Sequence, residues 1–289
     1  MRVAITGTTG RVGAALAKHL ARRHEVIPLP RTACDLADSA SLNAALAGLE
    51  CDVFINPAGI TSLEACEEDS RLAMRVNSAA PGKIALWAAG RGVRMIHFST
   101  DYVFAGETPG LLGEYATARP LSVYGRSKLA GEQAVLTHPG HLVIRVSWVF
   151  GPEKPAFVDQ IFDAALAGKP LAAIGDKFSL PTSTTDLAEW VERLIDTKVE
   201  GVIHACNPGE PVSWQGMAEF IVREMAKRGV IPECPPVTAQ TLEETSAFRA
   251  PRPRFSCMDT AKLATLIGKP PRPWKDALAE HIALRCAAR

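Results

Sequence analysis

Short apolar runs alternate with amphipathic stretches along the first two thirds of the chain. The apolar runs are typical of buried β-strands, and the longer stretches carry apolar residues at helical spacing. Because strands that alternate with helices form a parallel sheet covered on both faces, the pattern predicts an α/β fold with a doubly wound parallel sheet. The predicted strands are residues 3–5, 26–29, 53–56, 95–99, 142–146 and 201–205, and the predicted helices are 14–23, 42–49, 70–90, 123–136 and 185–195.

Two segments richer in proline and glycine, 151–184 and 207–289, do not continue this alternation. They predict a smaller C-terminal lobe that faces the carboxyl ends of the strands, where ligands bind in folds of this kind. We therefore expect a larger domain at residues 1–150, to which residues 185–206 return, and the smaller lobe at residues 151–289.

A glycine-rich turn stands between the first predicted strand and the first predicted helix. Gly7 can take a tight turn, Gly10 lets the backbone approach a phosphate, and Gly13 lets the helix pack closely on the strand. Because a helix N-terminus attracts anions, the turn predicts a dinucleotide site in the larger domain, with an ordinary strand-to-helix turn as the alternative. The candidate contacts are Gly7, Thr9, Gly10, Arg11, Val12 and Gly13.

Tyr124 and Lys128 lie four residues apart in a predicted helix, so their side chains share one face. A phenol titrates far above neutral pH, and a nearby cation makes it a better proton donor and acceptor by stabilising the phenolate. The pair is therefore a candidate for acid–base catalysis. A Tyr and a Lys at this spacing also occur by chance, but here the segment Ser99-Thr100-Asp101 follows an apolar run upstream of the pair.

The segment after the second predicted strand distinguishes between two dinucleotides. NAD sites in such folds usually carry an acidic residue there, whereas this chain continues with Pro30 and Arg31. A carboxylate would repel the 2′-phosphate of NADPH, and the Arg31 guanidinium would pair with it. We therefore expect NADPH as the cofactor, with NADH as the alternative. Arg11 can add a second positive charge, although a solvated surface arginine is the alternative for both residues.

Longer strings in the chain resemble a known family. They are Ser99-Thr100-Asp101-Tyr102-Val103-Phe104, Pro120-Leu121-Ser122-Val123-Tyr124-Gly125 with Ser127-Lys128-Leu129-Ala130-Gly131-Glu132, Arg145-Val146-Ser147-Trp148-Val149-Phe150-Gly151, and Asp186-Leu187-Ala188. With these strings the chain is similar to the extended short-chain dehydrogenase/reductases, which are Rossmann-like, and within them to the dTDP-4-dehydrorhamnose reductase group. The Thr-Asp-Tyr-Val-Phe and Ser-Trp-Val strings are the most specific to this group.

The resemblance implies a role for each matching residue. Tyr124 would donate a proton to a carbonyl oxygen that Thr100 binds, and Lys128 would hold the nicotinamide ribose and lower the pKa of Tyr124. Asn77 would support Lys128 through water. Further cofactor contacts implied by the resemblance are Asp35, Leu36, Asn56, Ala58, Gly59 and Ser99, together with Tyr124 and Lys128, and the implied substrate contacts are Asp101, Tyr102, Trp148 and Arg252.

The residue after Asp101 constrains the reaction. Similar sugar-nucleotide dehydratases have Asp-Glu there and use the acidic pair to eliminate water, whereas this chain has Asp101-Tyr102. The resemblance therefore implies NADPH-dependent reduction of the 4-keto group of a nucleotide-activated deoxysugar, with dTDP-4-dehydrorhamnose converted to dTDP-rhamnose. Two alternatives stay open: a non-catalytic relative of the methionine adenosyltransferase regulatory-subunit type, and an NAD-retaining sugar-nucleotide epimerase.

The second lobe departs from the family pattern at several positions. Lys177 stands where the family commonly has Gln, and it is a candidate beside Arg252 for the cation that binds the substrate diphosphate. These departures bear on which sugar is reduced more than on whether a keto sugar is reduced. The family's magnesium site is expected to be absent, because Ala15 occupies the position of an acidic ligand. The other departures are Ala116, Ala156, Ser179 and Phe255.

Charge and cysteine content limit the partners. The chain has 32 basic and 31 acidic residues, a net charge of +1, which gives no indication of a nucleic acid or a membrane as partner. Its 7 cysteines lack a Cys-x-x-Cys pair, which argues against a disulfide framework and a zinc site. No charged leader or long apolar run is present, so we expect a cytoplasmic protein with a nucleotide-sugar substrate. It can form a homodimer through helices near 70–90 and 123–136.

Overall fold

A parallel sheet forms the centre of the fold in a computed structural model, which describes residues 1–288 of the chain. Its strands are β1 (Arg2–Thr6), β2 (Glu25–Leu29), β3 (Val53–Asn56), β4 (Arg94–Thr100), β5 (Leu142–Val146) and β10 (Gly201–His204). The order across the six-stranded sheet is β10-β5-β4-β3-β1-β2, and all neighbours are parallel. The predicted α/β fold with a doubly wound parallel sheet is confirmed. The chain reverses its winding between β1 and β3, so a cleft opens at their carboxyl ends.

Helices cover both faces of this sheet. On one face, α1 and α8 pack with α10 over an apolar core, and α2, α5 and α6 cover the other face. The predicted bounds 53–56, 123–136 and 142–146 agree with the structure, and the other predicted elements are shifted by a few residues at their ends. The helices are α1 (Arg11–Leu20), α2 (Ser39–Ala47), α3 (Leu63–Glu68), α4 (Ser70–Met74), α5 (Ala80–Ala89), α6 (Val123–Leu136), α7 (Phe157–Leu166), α8 (Thr184–Ile195), α9 (Trp214–Lys227), α10 (Ala261–Ile267) and α11 (Trp274–Ala287).

The helix predicted over 70–90 is interrupted by a π-helical turn at Arg75–Ala79, between α4 and α5. Pro81 explains why the regular α-helix fails here: it lacks the N–H that would bond to the carbonyl four residues earlier, which belongs to Asn77. Gly131 of α6 approaches that carbonyl so closely that a Cβ at Gly131 would lie 2.1 Å from the Asn77 oxygen. The interruption therefore brings α6 against the turn that carries Asn77.

A second apolar core lies between α7, α9 and α11 and includes Phe162, Ile221 and Leu278. In this part β7 (Leu171–Ile174) pairs in parallel with β12 (Val237–Gln240). The short strands are β6 (Val149–Phe150) with β9 (Thr182–Ser183), and β8 (Phe178–Ser179) with β11 (Val212–Ser213).

The structure places one part of the predicted lobe with the larger domain. Leu263 and Ile267 of α10 belong to the core beneath the six-stranded sheet, because they pack with α8. The division at residue 150 otherwise stays a prediction. Within residues 1–288, no helix is both long enough and apolar enough to cross a membrane.

Candidate active site

A cavity of about 730 Å³ opens at the carboxyl ends of β1, β3 and β4. Its wall combines the glycine turn, the loops after β2, β3 and β4, the start of α6, and residues that follow position 150. Of the predicted site residues, the cavity wall contains Gly7, Thr9, Gly10, Arg11, Val12, Gly13, Arg31, Asp35, Leu36, Ala58, Gly59, Ser99, Thr100, Asp101, Tyr102, Tyr124, Lys128 and Trp148.

The glycine turn has the geometry of a cradle for an anion. Gly7 adopts a φ of +59°, and a Cβ at Gly13 would lie 2.2 Å from the Gly7 carbonyl oxygen. Side chains are therefore excluded where the backbone folds on itself. Helix α1 begins without a side-chain cap, so its first N–H groups remain available to a ligand. These features fit the pyrophosphate of a dinucleotide.

The two arginines considered for the 2′-phosphate have different environments. Arg31 borders the cavity with a largely exposed side chain, and its Nε lies 3.2 Å from an Asp35 carboxylate oxygen. Arg11 donates hydrogen bonds to the backbone carbonyls of Lys154 and Pro155, at 3.1 and 2.6 Å. Arg11 thus ties the glycine turn to the loop that contains Lys154 and Pro155, and Arg31 is the better placed of the two for a phosphate.

The Asn56 side chain lies beneath the cavity wall, and its role as a cofactor contact stays a prediction. Its side-chain oxygen accepts a hydrogen bond from the Thr6 hydroxyl at 2.6 Å, and its amide nitrogen lies 3.1 Å from His97 Nδ1. The side chain is completely buried, so both polar ends are used inside the sheet. Ala58 and Gly59, which follow in the same loop, do reach the cavity.

Thr100, Tyr124 and Lys128 converge on the cavity from two elements. Thr100 ends β4, and the other two residues lie in α6, whose start is capped by Ser122, a hydrogen-bond acceptor for the Gly125 N–H at 3.2 Å. A Cβ at Gly125 would lie 2.3 Å from the Tyr102 carbonyl oxygen. Glycine at this position therefore lets the first turn of α6 approach the loop after β4, which brings Tyr124 beside Thr100.

Asn77 does not line the cavity and acts on it through neighbours. Its amide nitrogen donates to the Ile60 carbonyl and to the Ser127 hydroxyl, both at 3.0 Å, and its side-chain oxygen accepts from the Ile60 N–H at 2.9 Å. The side chain is completely buried. Asn77 thus braces the loop after β3 against the helix that carries Lys128.

Among the predicted substrate contacts, Tyr102 and Trp148 present aromatic rings to the cavity. Trp148 has a positive φ of 42°, a region that non-glycine residues rarely adopt, and its indole Nε1 has no hydrogen-bond partner within residues 1–288. Asp101 borders the cavity, but its carboxylate is occupied by hydroxyl groups: it accepts from Ser256 at 2.5 Å, Ser179 at 3.2 Å and Thr100 at 3.2 Å.

Arg252 lies outside the wall of the main cavity, and its contact with the substrate stays a prediction. Its guanidinium donates to a Glu64 carboxylate oxygen at 2.8 Å and lies 3.8 Å from the centre of the Phe248 ring. It borders a smaller neighbouring cavity of about 330 Å³ together with Arg249 and Arg254. Lys177, the other cation considered for a diphosphate, is completely buried and borders neither cavity.

A family model described as the RmlD substrate binding domain matches residues 1–285 of the chain. The chain belongs to this family. Among relatives, the spore coat polysaccharide biosynthesis protein SpsK of Bacillus subtilis is 31% identical, with 99% of each chain covered. The dTDP-4-dehydrorhamnose reductase of Mycolicibacterium smegmatis is 32% identical, with 98% of this chain and 85% of the relative covered.

Solved structures of dTDP-4-dehydrorhamnose reductases agree with the fold. A dTDP-4-dehydrorhamnose reductase from Clostridium acetobutylicum superposes with a TM-score of 0.90 at 31% identity, covering 99% of this chain and 100% of that chain. The Bacillus anthracis dTDP-4-dehydrorhamnose reductase, solved in complex with NADP, gives a TM-score of 0.89 at 26% identity, covering 98% and 99%. The family resemblance inferred from the sequence is confirmed.

Burial shifts the pKa values of Tyr124 and Lys128. Burial raises the pKa of Tyr124, and the Thr100 hydroxyl opposes this by hydrogen bonding. Burial lowers the pKa of Lys128 to about 8, while Glu132 opposes this change. Lys128 is therefore charged at neutral pH.

Two residues of the resemblance strings form a buried ion pair behind this site. Arg145 donates to both carboxylate oxygens of Glu132, at 2.8 and 2.6 Å, and both side chains are buried. The pair joins β5 to α6 and so fixes the helix that carries Tyr124 and Lys128. Such two-pronged geometry requires arginine.

One wall of the cavity, formed by residues after position 150, was not predicted from the sequence. Phe157, Trp214 and Met217 border the cavity, and the Phe157 and Trp214 rings stack with centres 5.3 Å apart. Nothing in their local sequence separates them from core residues, because both α7 and α9 also bury apolar faces. Within residues 1–288, no group of three or more His, Cys, Asp or Glu residues is arranged to hold a metal ion.

Proposed function

We propose that this chain catalyses the NADPH-dependent reduction of dTDP-4-dehydrorhamnose to dTDP-rhamnose. The observation that carries the proposal is the convergence of Thr100, Tyr124 and Lys128 beside an anion cradle in one cavity. The family membership and the reductases among the relatives support the substrate, and the NADP complex of the Bacillus anthracis reductase supports the cofactor.

The residues of the cavity account for the parts of the reaction that a protein must supply. NADPH, when bound, supplies a hydride to the carbonyl carbon. Tyr124 donates the matching proton to the carbonyl oxygen, so no alkoxide accumulates. Thr100 lies beside the phenol, and its hydroxyl can bind the same oxygen once its hydrogen turns from Asp101 to the substrate. Lys128, charged below about pH 8, attracts the ribose oxygens and orients the nicotinamide end.

Most departures of the second lobe from the family pattern lie away from the substrate space. Lys177 and Ser179 are completely buried, and Phe255 stacks on Phe178 with ring centres 5.6 Å apart. Only Ala156 of these positions borders the cavity. The departures therefore leave room for the same keto sugar, which supports dTDP-4-dehydrorhamnose over a different substrate.

The test follows NADPH absorbance with purified protein and enzymatically generated dTDP-4-dehydrorhamnose, with NADH in parallel and Tyr124→Phe protein as the background. We expect NADPH to be consumed in step with dTDP-rhamnose formation. No product, with NADPH bound normally, would exclude this substrate. A purified protein that already carries tightly bound NAD would instead support the epimerase alternative.

We also propose a cytoplasmic homodimer. The 7 cysteines are all free thiols, which supports a reducing compartment.

Met74 of α4 and Leu86 of α5 expose 42% and 62% of their surface on the helices expected at the interface, which supports association there. Sedimentation of wild type against Leu86→Glu protein tests it: a monomeric variant and a dimeric wild type are the expected result, and a monomeric wild type contradicts it.

A further inference from the structure

Lys177 places a completely buried ammonium group behind the substrate-facing rings. Its Nζ lies 4.8 Å from the centre of the Tyr102 ring and 5.4 Å from that of Trp148. The same nitrogen donates to the Pro253 carbonyl at 3.0 Å. A buried lysine needs such partners, because an uncompensated charge away from water is very unfavourable. These contacts orient the ammonium but do not neutralise it.

Ser256 connects this cation to Asp101. The lysine Nζ donates to the Ser256 hydroxyl at 3.5 Å, and that hydroxyl donates its own hydrogen to an Asp101 carboxylate oxygen at 2.5 Å. A hydroxyl can accept and donate at the same time, so Ser256 bridges the two charges. The carboxylate of Asp101 is almost completely buried and is 1% exposed. Each buried charge therefore depends on the other.

The other oxygen of Asp101 contacts Thr100. The Thr100 hydroxyl lies 3.2 Å from this oxygen and also accepts the Tyr102 N–H at 3.2 Å. An ionised carboxylate can only accept, so without a bound carbonyl oxygen Thr100 gives its single hydrogen to Asp101. A protonated Asp101 could donate to Thr100 instead and leave the Thr100 hydrogen free to point into the cavity.

We propose that Lys177 is a positioning residue of the active site, whose buried ammonium keeps Asp101 ionised through Ser256 and so fixes the direction of the hydrogen bond between Asp101 and Thr100. The effect of Lys177 on catalysis rests on the proposed function. The link itself rests on the contacts of Lys177, Ser256 and Asp101.

The charged surroundings agree with this assignment. Burial raises the pKa of Asp101, and Lys177 is the strongest influence that lowers it. Burial lowers the pKa of Lys177 to about 8, so the ammonium is charged at neutral pH, and Asp101 is the main group that raises it. The titratable or charged groups that face one or both of these two are Tyr102, Tyr124, Cys206, Arg252 and Cys257.

The first experiment measures Asp101 without turnover. Infrared spectra of Lys177→Met and Lys177→Gln proteins are recorded against pH, and the carboxylic acid C=O band is assigned to Asp101 by its loss in the same variants carrying Asp101→Asn. Removing the cation should shift protonation of Asp101 to higher pH than in wild type in both variants. Lys177→Gln retains a donor for the Pro253 carbonyl, so it separates the lost charge from the lost hydrogen bond.

The second experiment compares pH profiles of kcat for the same proteins. Lys177→Gln should acquire a transition that coincides with the infrared titration and is lost in the Lys177→Gln, Asp101→Asn double variant. If Asp101 titrates at the same pH in wild type and in the folded variants, the proposal is overturned. If wild type does not turn over the sugar, the proposed function fails and the infrared result still decides the role of Lys177.

Ser256→Ala protein is the alternative test if the Lys177 variants do not fold. It removes the bridging hydroxyl and leaves both charges in place. Asp101 should then titrate at higher pH than in wild type. An unchanged Asp101 titration in Ser256→Ala protein would overturn the link through Ser256.

Discussion

The guanidinium of Arg252 and the carboxylate of Glu64 are joined by a 2.8 Å hydrogen bond between the C-terminal part of the chain and α3. Helix α3 directly follows the loop of residues 57–61, which borders the main cavity. A second ion pair, Arg249 with Glu68, connects the same two segments, but its side chains are largely exposed. The Arg252 guanidinium, which the sequence analysis expects to bind the substrate diphosphate, is therefore already paired with a carboxylate of the same chain.

Removing the Glu64 charge should strengthen substrate binding. If Arg252 binds the diphosphate, it must leave Glu64, and Glu64→Gln weakens the competing contact. We expect the KM for the nucleotide sugar to fall roughly fivefold, equivalent to about 1 kcal/mol, while kcat is unchanged. Glu68→Gln is the matched control, because it removes the neighbouring exposed ion pair. An unchanged KM in Glu64→Gln together with a wild-type KM in Arg252→Ala would show that Arg252 only joins the two segments.

Tyr124→Phe should abolish most of the turnover and leave NADPH binding intact. The substitution removes only the phenolic oxygen, which is the proton donor, so kcat should fall by a factor of about 10²–10⁴. NADPH fluorescence gives the affinity, and NADPH oxidation gives the rate. Tyr115→Phe is the control, since Tyr115 is 96% exposed and should behave as wild type. A Tyr124→Phe rate near that of wild type would remove Tyr124 from the mechanism.

The rate of reduction should fall as the pH rises through about 8. Lys128 has a pKa lowered to about 8 by burial, so its charge is present below this pH and lost above it. Burial raises the pKa of Tyr124, which keeps the phenol protonated over the same range. The alkaline limb of kcat/KM thus reports Lys128. Because Lys177 also has a pKa lowered to about 8, Lys177→Gln separates the two lysines: this variant should keep the alkaline limb in addition to the transition that belongs to Asp101. A profile flat to pH 10 contradicts the assignment.

Gly13→Ala should destabilise the fold and abolish dinucleotide binding. Its Cβ would lie 2.2 Å from the Gly7 oxygen and 2.7 Å from the Gly7 carbonyl carbon, both backbone atoms that cannot move aside. Such overpacking lowers the free energy of unfolding by about 1–3 kcal/mol or more. Gly48→Ala is the control, because its Cβ would meet nothing within 4 Å. Denaturant unfolding and NADPH titration measure both effects, and equal stability of the two variants would contradict the prediction.

The sequence predicted those features that depend on local pattern. Strand β3 and helix α6 have their predicted bounds because apolar periodicity and the Ser122 cap act over a few residues. Sheet order did not follow from the pattern, since it depends on contacts between distant segments. Pro81 did carry a signal for the π-helical turn, because a proline there removes the N–H that the Asn77 carbonyl needs.

The candidate site was predictable as a set of residue types but not as a set of contacts. Asn56 matched a motif, yet its amide is used by Thr6 and His97 inside the sheet. Arg252 matched another, yet Glu64, far away in the chain, holds its guanidinium. In both cases the hydrogen-bond partner lies far from the motif in the sequence, so the motif alone does not predict the contact. The burial of Lys177 could not be predicted for the same reason, because a lone lysine is expected on the surface.

Arg31→Ala should weaken NADPH much more than NADH. Arg31 borders the cavity and keeps an exposed guanidinium, so it can pair with a 2′-phosphate that NADH lacks. A charge-assisted hydrogen bond contributes about 1.5–3 kcal/mol, which predicts a rise in the NADPH Kd of roughly 10- to 100-fold and little change for NADH. Arg22→Ala, on the exposed surface after α1, is the control for net charge. Asp35→Asn should act in the opposite direction, because it releases Arg31 from its 3.2 Å ion pair and removes a carboxylate that repels the phosphate. Equal losses for both dinucleotides in Arg31→Ala would mean that Arg31 does not distinguish them.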